Sequence, residues 1–335
     1  MKIAGKKILV TGGAGFIGSE LVRQLLEREA EVAVVDNLAN GRRENLEGLS
    51  HDILFAEVDI RDTARMQQLV KRADIVFHLA CLGVRHSLHS PIENHEVNAA
   101  GTLGLLIAAR AAGIERFVYV SSSEVYGTAR WTPMTAEHPT YPRTVYGGSK
   151  LAGECYARAF YHSHGLPTVA IRPFNTYGPR CHHEGDSGEV IPKFLLRCMA
   201  GRPMIIFGDG KQTRDFTYVS DSARGIVMAG TADNTVGETI NLGSGVEVAI
   251  AELAREIGML LGRPEPATEH IDPRPGDVGR LCADMSRARE LCGYQPTLSL
   301  RDGLVKLREW YESQGTPPES LLEQEIVQNW EPKRG

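Results

Sequence analysis

The chain has 335 residues, 42% hydrophobic and 24% charged, proportions that are ordinary for a globular protein with one large or two modest domains. Its formal net charge of −5 excludes the sequence-wide basic field that binds nucleic acid or anionic lipid. The six cysteines show no CxxC spacing, and the apolar run in MKIAGKKILVTGG is too short for a signal peptide or a membrane span. We therefore expect a cytoplasmic protein with reduced thiols and no membrane or nucleic-acid partner.

The first half of the chain alternates short β-rich runs with helical segments. Strands are predicted at KKILVTGG, EVAVVDN, DILFAEVDI, ADIVFHLA, ERFVYVSSS and LPTVAIRPFN. Helices are predicted at FIGSELVRQLLERE, at NAAGTLGLLIAARAAG with Gly113 in the C-terminal cap position, and over residues 145–164. Strands that are apolar throughout and are separated by helices indicate a parallel sheet covered on both faces. The sequence therefore predicts a doubly wound α/β fold.

The first strand-to-helix turn is the glycine-rich stretch TGGAGFIG. Gly12, Gly15 and Gly18 are spaced three apart, as is needed where a tight turn and the close approach of a diphosphate leave no room for a Cβ. The helix that begins with Phe16 and Ile17 would offer free N–H groups and the positive end of its dipole to the phosphates. This stretch therefore predicts a dinucleotide-binding turn.

Asp36 stands at the end of the second strand, eighteen residues after Gly18. Its carboxylate can accept hydrogen bonds from an adenosine ribose diol and would repel a 2′-phosphate. The turn and the acid together favour NAD over NADP as the cofactor. Arg42 and Arg43 follow closely enough in sequence to keep NADP open as an alternative.

Two stretches, SSSEVYG (121–127) and YGGSK (146–150), carry the predicted chemistry. Tyr146 and Lys150 are four residues apart and share one face of a helix. An ammonium beside a phenol lowers the pKa of the phenol, which can then take a proton from a substrate alcohol while hydride leaves the same carbon for nicotinamide. The hydroxyl groups of residues 121–123 end the fifth strand, at the sheet edge where ligands bind, and one of them can hydrogen-bond the reacting oxygen.

Taken in order, the motifs VTGGAGFIG, DN (36–37), DI (59–60), HLA (78–80), Asn98, YGGSK and RPFNTYGPR resemble those of the extended short-chain dehydrogenase/reductase family over almost the whole chain. The resemblance implies that Ser122 is the active-site hydroxyl and that Tyr146 is the acid/base. It implies that Lys150 modulates the Tyr146 pKa and binds ribose. It also implies further cofactor contacts, of which Pro173 would lie against the nicotinamide. These contacts come from Asn37, Asp59, Ile60, Leu79, Ala80, Asn98 and Pro173.

The same resemblance bears on assembly and on the class of protein. Helices 92–112 and 145–164 commonly pair across a two-fold axis in this family, so a homodimer is expected. Non-catalytic dinucleotide sensors often lack the Tyr or the Lys, and this chain has both. The resemblance therefore implies an enzyme.

After residue 180 the alternation weakens. Helices are predicted at VIPKFLLRCMAG, SARGIVMAG and IAELAREIGMLLG, and strands at PMIIFG and TRDFTYVSD. We expect a Rossmann-type NAD-binding domain over residues 1–180 with returns near 213–246, and a smaller, interleaved substrate domain over residues 181–212 and 247–330. The segment CHHEGDSGE (181–189) lacks a metal-ligand spacing, so we predict a mobile loop over the substrate and no metal site.

Pieces of the second half resemble the nucleotide-sugar branch of the family, in which they hold a nucleoside diphosphate. The matching segments are FNTYGPR, VIPKF, TRDFTYVSD and RPGD, and they supply Asn175, Val190, Arg214, Arg274 and Asp277. In the first half, GVRHSLHSP (83–91) resembles the substrate loop of UDP-sugar 4-epimerases, including those acting on uronates, and supplies Arg85 and Ser87 as further substrate contacts. An arginine offers a planar fork that suits a diphosphate, so a nucleotide sugar, with UDP preferred, is the expected substrate. The structural alternative for Arg214 and Arg274 is an ion pair with Asp215 or Asp277.

Glu124 decides between the reactions of this branch. Oxidation at C4 of the sugar by retained NAD gives a 4-keto intermediate whose C5 proton is acidic, and a dehydratase then needs a base that a simple 4-epimerase does not. The pair Ser123-Glu124 resembles dehydratases and decarboxylases, and since Ser123 is a poor acid, Glu124 would serve both C5 deprotonation and departure of the C6 hydroxyl. We therefore predict a 4,6-dehydratase type of enzyme. The alternatives, in order, are a UDP-hexose or UDP-hexuronate 4-epimerase, a UDP-glucuronate decarboxylase and a non-sugar extended reductase. The structural alternative for Glu124 is a buried carboxylate bound by backbone N–H groups.

Overall fold

The computed structural model describes residues 1–49 and 53–330, and its framework is a set of twelve strands. In chain order they are β1 (Lys7–Thr11), β2 (Glu31–Asp36), β3 (Ile53–Glu57), β4 (Ile75–His78), β5 (Arg116–Val120), β6 (Thr168–Pro173), β7 (Asn175–Tyr177), β8 (Met204–Phe207), β9 (Thr213–Tyr218), β10 (Thr239–Leu242), β11 (Glu247–Ala249) and β12 (Thr268–Ile271). Seven of them form one parallel sheet in the order β10-β6-β5-β4-β1-β2-β3. The six strands predicted in the first half of the chain are β1 to β6; the prediction for β3 began at Asp52, which lies outside the described residues.

Helices fill the connections between the strands. They are α1 (Phe16–Leu26), α2 (Thr63–Val70), α3 (His86–His89), α4 (Pro91–His95), α5 (Thr102–Ala112), α6 (Val145–His164), α7 (Val190–Met199), α8 (Val219–Thr231), α9 (Ile250–Leu260), α10 (Ser286–Cys292), α11 (Leu300–Ser313) and α12 (Pro318–Leu322). A π-helical turn, Glu96–Gly101, joins α4 to α5, and α5 ends at Gly113 with a left-handed φ of +67°, as predicted for its cap. Among the described residues, no helix combines the length and the apolar character that crossing a bilayer requires.

The large sheet is covered on both faces. Side chains along a strand alternate between faces, so Ile8 and Val10 pack in one buried cluster with α1 and α8, whereas Leu9 packs in another with α2, α5 and α6. This arrangement confirms the predicted doubly wound, Rossmann-type α/β fold. It also directs the carboxyl ends of β1, β2, β4, β5 and β6 to one edge, where the polar residues that follow these strands come together.

A third buried cluster lies around α7, α9 and α11 and the short strands β7, β8 and β9. Here β9 joins β11 and β7 in a three-stranded sheet, and β8 pairs with β12. Between these pieces the chain returns to the large sheet, because α8 packs on α1 and β10 pairs with β6. The sequence did not predict β7, β10, β11 or β12, which are three or four residues long.

Candidate active site

A cavity of about 500 Å³ lies at the carboxyl edge of the large sheet, between that sheet and the third cluster. It is lined by most of the predicted cofactor residues: Gly12, Gly15, Phe16, Ile17, Gly18, Asp36, Asn37, Asp59, Ile60, Leu79, Ala80, Tyr146, Lys150 and Pro173. It is also lined by most of the other predicted site residues: Arg85, Ser122, Ser123, Glu124, Asn175, Val190, Arg214, Arg274 and Asp277. Residues from both halves of the sequence therefore face one space.

Asn98 and Ser87 are the two predicted site residues that do not line the cavity. The Asn98 side chain accepts a hydrogen bond from Leu82 N (2.8 Å) and donates one to Leu82 O (2.9 Å). The Ser87 hydroxyl donates to Val84 O at 2.6 Å. Both side chains thus hold the loop that carries Cys81 and Arg85, and they act on the cavity through that loop.

The glycine-rich turn is shaped by close backbone contacts. Gly12 has a φ of +74°, and a Cβ there would lie 2.7 Å from Ala80 N. A Cβ on Gly18 would lie 2.0 Å from Gly12 O, so neither position accepts a side chain. Helix α1 starts at Phe16 without a side-chain cap, which leaves its first N–H groups open to the cavity for an anionic group.

Asp36 ends β2 beside this turn. Its carboxylate accepts hydrogen bonds from Ala14 N at 3.0 Å and Leu38 N at 2.9 Å. Burial raises the pKa of Asp36, and these two N–H groups oppose the rise. The two arginines that kept NADP open have other partners, since Arg42 pairs with Glu184 (2.7 Å) and Arg43 with Glu57 (2.9 Å). The site therefore fits a ribose diol better than a 2′-phosphate.

Asn37 and Asp59 form the wall next to Asp36. The Asn37 amide donates to Asp59 Oδ2 at 3.0 Å, and Arg61 donates to the same carboxylate at 2.8 Å. The hydrogen bond from Arg61 is the main reason that the pKa of Asp59 lies below its usual value. Ile60 follows on the same wall, so this end of the cavity has both polar and apolar surface.

A buried ion pair fixes the helix that carries the predicted catalytic pair. On α6, Glu154 accepts from Arg172 Nε (2.9 Å) and Nη2 (2.6 Å), and both side chains are almost fully buried. Arg172 lies on β6 directly before Pro173, and its Nη1 donates to the Tyr126 hydroxyl at 2.6 Å. Because Tyr126 belongs to the 3₁₀ turn after β5, this network ties α6, β6 and that turn together. The relative positions of Ser122, Tyr146 and the cavity wall follow from it.

Lys150 lies one helical turn after Tyr146 on α6. Its ammonium donates to Val120 O at 2.6 Å and lies 5.0 Å from the centre of the Tyr119 ring. Burial lowers the pKa of Lys150.

The hydroxyl of Ser122, at the end of β5, accepts a hydrogen bond from Glu124 N at 3.2 Å.

The pKa of Tyr146 differs from the expectation. The sequence predicted that Lys150 would lower it, but burial raises it well above the usual value, and Coulomb interactions, among them those with Glu124 and Glu189, act in the same direction. A hydrogen bond with Ser122 opposes the rise. The physical reason is desolvation, which disfavours the charged phenolate. The Lys150 ammonium donates its hydrogen bond to the Val120 carbonyl, and its charge does not compensate for this cost.

Glu124 lies in the 3₁₀ turn after Ser123 and faces the cavity. Within residues 1–49 and 53–330, no backbone N–H group or side chain donates a hydrogen bond to its carboxylate. Burial raises its pKa, and Arg214, Arg274 and Arg85 oppose that rise. The structural alternative of a carboxylate bound by backbone N–H groups is therefore absent here, and this carboxyl group can exchange a proton with a ligand.

Arg214 and Arg274 share one carboxylate. Asp277 Oδ1 accepts from Arg214 Nη2 at 2.6 Å and from Arg274 Nη2 at 2.5 Å. Asp277 is thus the ion-pair partner that the sequence left open, whereas Asp215 accepts hydrogen bonds from Ser244 and its neighbours. Two cations opposite one anion leave a positive charge at the cavity wall.

Arg85 adds a second positive group on the same side. In the described part of the chain its guanidinium makes no hydrogen bond, and its Nε is buried without a partner. Burial, followed by the repulsion of Arg274, lowers its pKa to about 10. The Asn175 side-chain oxygen is also buried without a partner, and Val190 opens α7 at the cavity wall. A charged, hydrogen-bonding ligand can supply partners for these groups.

Glu189 and Lys193 are among the ionisable cavity residues that sequence reasoning missed. Burial raises the pKa of Glu189 to about 7 and lowers that of Lys193 to about 8. The only signal for them was the motif GEVIPKF, which contains both residues. In the preceding segment, Glu184 contacts His182 at 3.0 Å, and among the described residues no three His, Cys, Asp or Glu side chains are placed to hold a metal ion.

Comparison with known proteins identifies the family. Residues 9–307 match the family described as GDP-mannose 4,6 dehydratase. A protein of Mycolicibacterium smegmatis named UDP-glucose 4-epimerase is 38% identical over 92% of this chain and 99% of its own. The structure of an epimerase from Methanothermobacter thermautotrophicus superposes with a TM-score of 0.89 at 35% identity, covering 96% of each chain.

A further solved structure bears on the cofactor. The dTDP-glucose 4,6-dehydratase DesIV of Streptomyces venezuelae, which has NAD bound, superposes with a TM-score of 0.86 at 32% identity over 92% of this chain and 97% of that one. The open α1 N-terminus and the Asp36 carboxylate fit this dinucleotide. The chain thus belongs to the GDP-mannose 4,6-dehydratase family, the NAD-dependent nucleotide-sugar epimerases and dehydratases of the extended short-chain dehydrogenase/reductase type.

Proposed function

We propose that this protein is a nucleotide-sugar dehydratase of the 4,6 type, which oxidises C4 of a UDP-hexose and then uses Glu124 at C5. The observation that carries the proposal is the Glu124 carboxyl group, which faces the same cavity as Tyr146 and Ser122 and has no hydrogen-bond donor among the described residues. A 4-epimerase has no step that needs this group. A 4-keto sugar, by contrast, has an acidic C5 proton for which a buried carboxylate is a suitable base.

In the first step Tyr146 takes the proton of the C4 hydroxyl, and Ser122 holds the reacting oxygen. Bound NAD supplies the acceptor for the C4 hydride and keeps it for return. The pKa of Tyr146 in the protein alone is raised, so a nearby positive charge has to stabilise the phenolate. Lys150 contributes to that charge from its place at Val120 O.

The three arginines on one side of the cavity, Arg85, Arg214 and Arg274, would hold the diphosphate. Arg85 is without a partner among the described residues, and Arg274 has only the Asp277 oxygen that it shares with Arg214. A nucleoside diphosphate brings two negative charges and several acceptor oxygens to these groups. An apolar ketone would leave them unpaired, which argues against the non-sugar reductase.

A panel of UDP-, GDP- and dTDP-sugars that includes UDP-hexuronates, each incubated in D₂O and followed by NMR, tests the reaction. We expect turnover of a UDP-sugar to a 4-keto-6-deoxy product with deuterium at C5, without added NAD. A C4 epimer without deuterium would refute the dehydratase function. A pentose product would identify a decarboxylase instead.

A 4-epimerase acting on a UDP-hexose or UDP-hexuronate is the second candidate. The name of the M. smegmatis relative favours it, and so does Arg85, whose open guanidinium could bind the C6 carboxylate of a uronate. In that case the same NMR panel would show a C4 epimer of the UDP-hexose or UDP-hexuronate without deuterium at C5.

We also propose a homodimer formed through α4, α5 and α6. Ile92 and Ile107, on α4 and α5, are 75% and 50% exposed, which suits an apolar interface between two copies. Ile107→Glu is expected to convert the dimer to a monomer in light scattering, because a charge would be buried against the partner. Met259→Glu is the control, since Met259 is 45% exposed on α9, outside this surface. An unchanged mass for Ile107→Glu, or a monomeric wild type, would contradict the proposal.

We place the protein in the cytoplasm. All six cysteines are free thiols in the structure, which suits a reducing compartment.

A further inference from the structure

A second carboxyl group, Glu189, faces the cavity from the side opposite the sheet. It is the residue before α7, and its backbone N–H donates to His182 O at 2.8 Å, which fixes the start of the helix. In the described part of the chain its carboxyl group makes no hydrogen bond, although it lines the cavity. Like Glu124, it is therefore free to contact a ligand.

The two carboxyl groups flank one space. The negative charge of each raises the pKa of Tyr146, and each also acts on Arg85, so both lie within electrostatic reach of the same phenol and the same guanidinium. Glu124 comes from the turn after β5, and Glu189 comes from the N-terminal end of α7. Both carboxyl groups line the cavity that Tyr146 also lines, so a sugar bound there can reach each of them.

Dehydration requires two proton transfers at neighbouring carbons. A base removes the C5 proton, and an acid protonates the C6 hydroxyl so that it can leave as water. Ser123, which precedes Glu124, is a poor acid and is buried. If Glu124 gave its newly gained proton to the C6 oxygen, it would need a new proton from solvent before it could protonate C5, and a second acid removes that requirement.

We propose that Glu189 is the general acid that protonates the departing C6 hydroxyl, while Glu124 serves C5 alone; this rests on the dehydratase function proposed above. It replaces the expectation that Glu124 serves both positions. The environment suits the role, because burial raises the pKa of Glu189 to about 7 while the charges of His182 and Arg85 oppose the rise. At neutral pH a large share of Glu189 is therefore protonated.

The protons and electrons balance over the cycle. The C4 carbon loses a hydride to NAD and its hydroxyl proton to Tyr146. Glu124 takes the C5 proton, the C6–O bond breaks, and the oxygen leaves as water with the proton of Glu189. The hydride returns to C6 and Glu124 returns its proton to C5. Transfer of one proton from Tyr146 to Glu189, through solvent, restores both groups.

Glu189→Gln tests the acid, with Glu290→Gln as the matched control. Glu290 is exposed on α10 and does not line the cavity, so the same chemical change there tests for a general effect of removing a negative charge. For Glu189→Gln we expect product formation to fall about 10²–10⁴-fold. Reduced cofactor should accumulate at 340 nm, and deuterium should still enter C5. Glu290→Gln should show none of these changes.

The pH profile gives a second readout. The charged and titratable groups that face Glu189 are Arg85, Tyr146, Cys181, His182, Glu184 and Tyr311. Because the protonated form is the active one, wild-type turnover should fall as the pH rises through about 7. Turnover of Glu189→Gln should not show this decrease with rising pH. Glu189→Asp, which keeps a carboxyl group, should show the decrease but with a lower overall rate.

Each outcome decides the proposal. Full turnover of Glu189→Gln, or loss of cofactor reduction in that variant, would overturn the acid role while leaving the dehydratase function in place, provided that the wild type makes the 4-keto-6-deoxy sugar. A wild type that makes only a C4 epimer would overturn both. Should Glu189→Gln fail to fold, a Glu189→Asp enzyme whose turnover does not decrease as the pH rises through about 7 would overturn the general-acid role of Glu189.

Discussion

Tyr146→Phe is expected to reduce turnover about 10²–10⁴-fold and to leave the bound dinucleotide in place. The phenol oxygen is the group proposed to take the C4 proton, whereas the other predicted dinucleotide contacts, from the glycine-rich turn to Pro173, do not involve it. Turnover is measured on the sugar that the NMR panel identifies, and bound NAD is measured by chromatography after denaturation.

Tyr141→Phe is the control for this variant. Tyr141 precedes α6, is 74% exposed and does not line the cavity, so the same chemical change there should leave turnover unaffected. Unchanged turnover in Tyr146→Phe would remove Tyr146 from the mechanism. Loss of the dinucleotide would show that the hydroxyl serves in binding as well as in catalysis.

Glu124→Gln is expected to abolish chemistry at C5 and to spare oxidation at C4. Product formation should fall about 10²–10⁴-fold because the amide cannot accept the C5 proton. Mixing the variant with the sugar should still generate absorbance at 340 nm, but no deuterium should enter C5 from D₂O. Burial raises the Glu124 pKa, so the loss of wild-type C5 exchange at low pH should begin above the usual range of a glutamate.

Glu93→Gln provides the comparison for Glu124→Gln. Glu93 also lines the cavity, but it is half-exposed and lies near His86 (3.2 Å) and Arg61 (3.7 Å), away from Tyr146. Entry of deuterium at the wild-type rate in Glu124→Gln would assign C5 deprotonation to another base. Entry of deuterium at C5 also distinguishes the roles of the two carboxyl groups, because Glu189→Gln is expected to keep this exchange and Glu124→Gln is expected to lose it.

Much of the fold could be predicted because its signals are local. The apolar runs and the helical spacing of the first half predicted β1 to β6 and the helices α1, α5 and α6, but not α2 to α4. Gly113 ends α5 where its freedom of φ predicted a cap. The short strand β10 could not be predicted in this way. Four residues give no clear period, and only pairing with β6 makes TINL a strand.

The sequence predicted which residues line the site better than it predicted the pKa shifts of those residues. Gly12, Asp36, Tyr146 and Arg85 line the cavity as their motifs indicated. Asn98, although part of a motif, supports the Leu82 loop from behind. The direction of the Tyr146 pKa was wrong, because a four-residue spacing shows that Lys150 is near but does not show how deeply the phenol is buried.

The sequence by itself determined the alternation of strands and helices, the glycine-rich turn, the acid at the end of β2 and the order of the motifs, all of which depend on neighbours along the chain. The tertiary structure alone decided that Asp277 is shared by two arginines, that Arg85 is without a partner among the described residues, and that Glu124 and Glu189 line one cavity. The physical reason is that burial and Coulomb interactions depend on distances in space, and the groups that set them are far apart in the sequence.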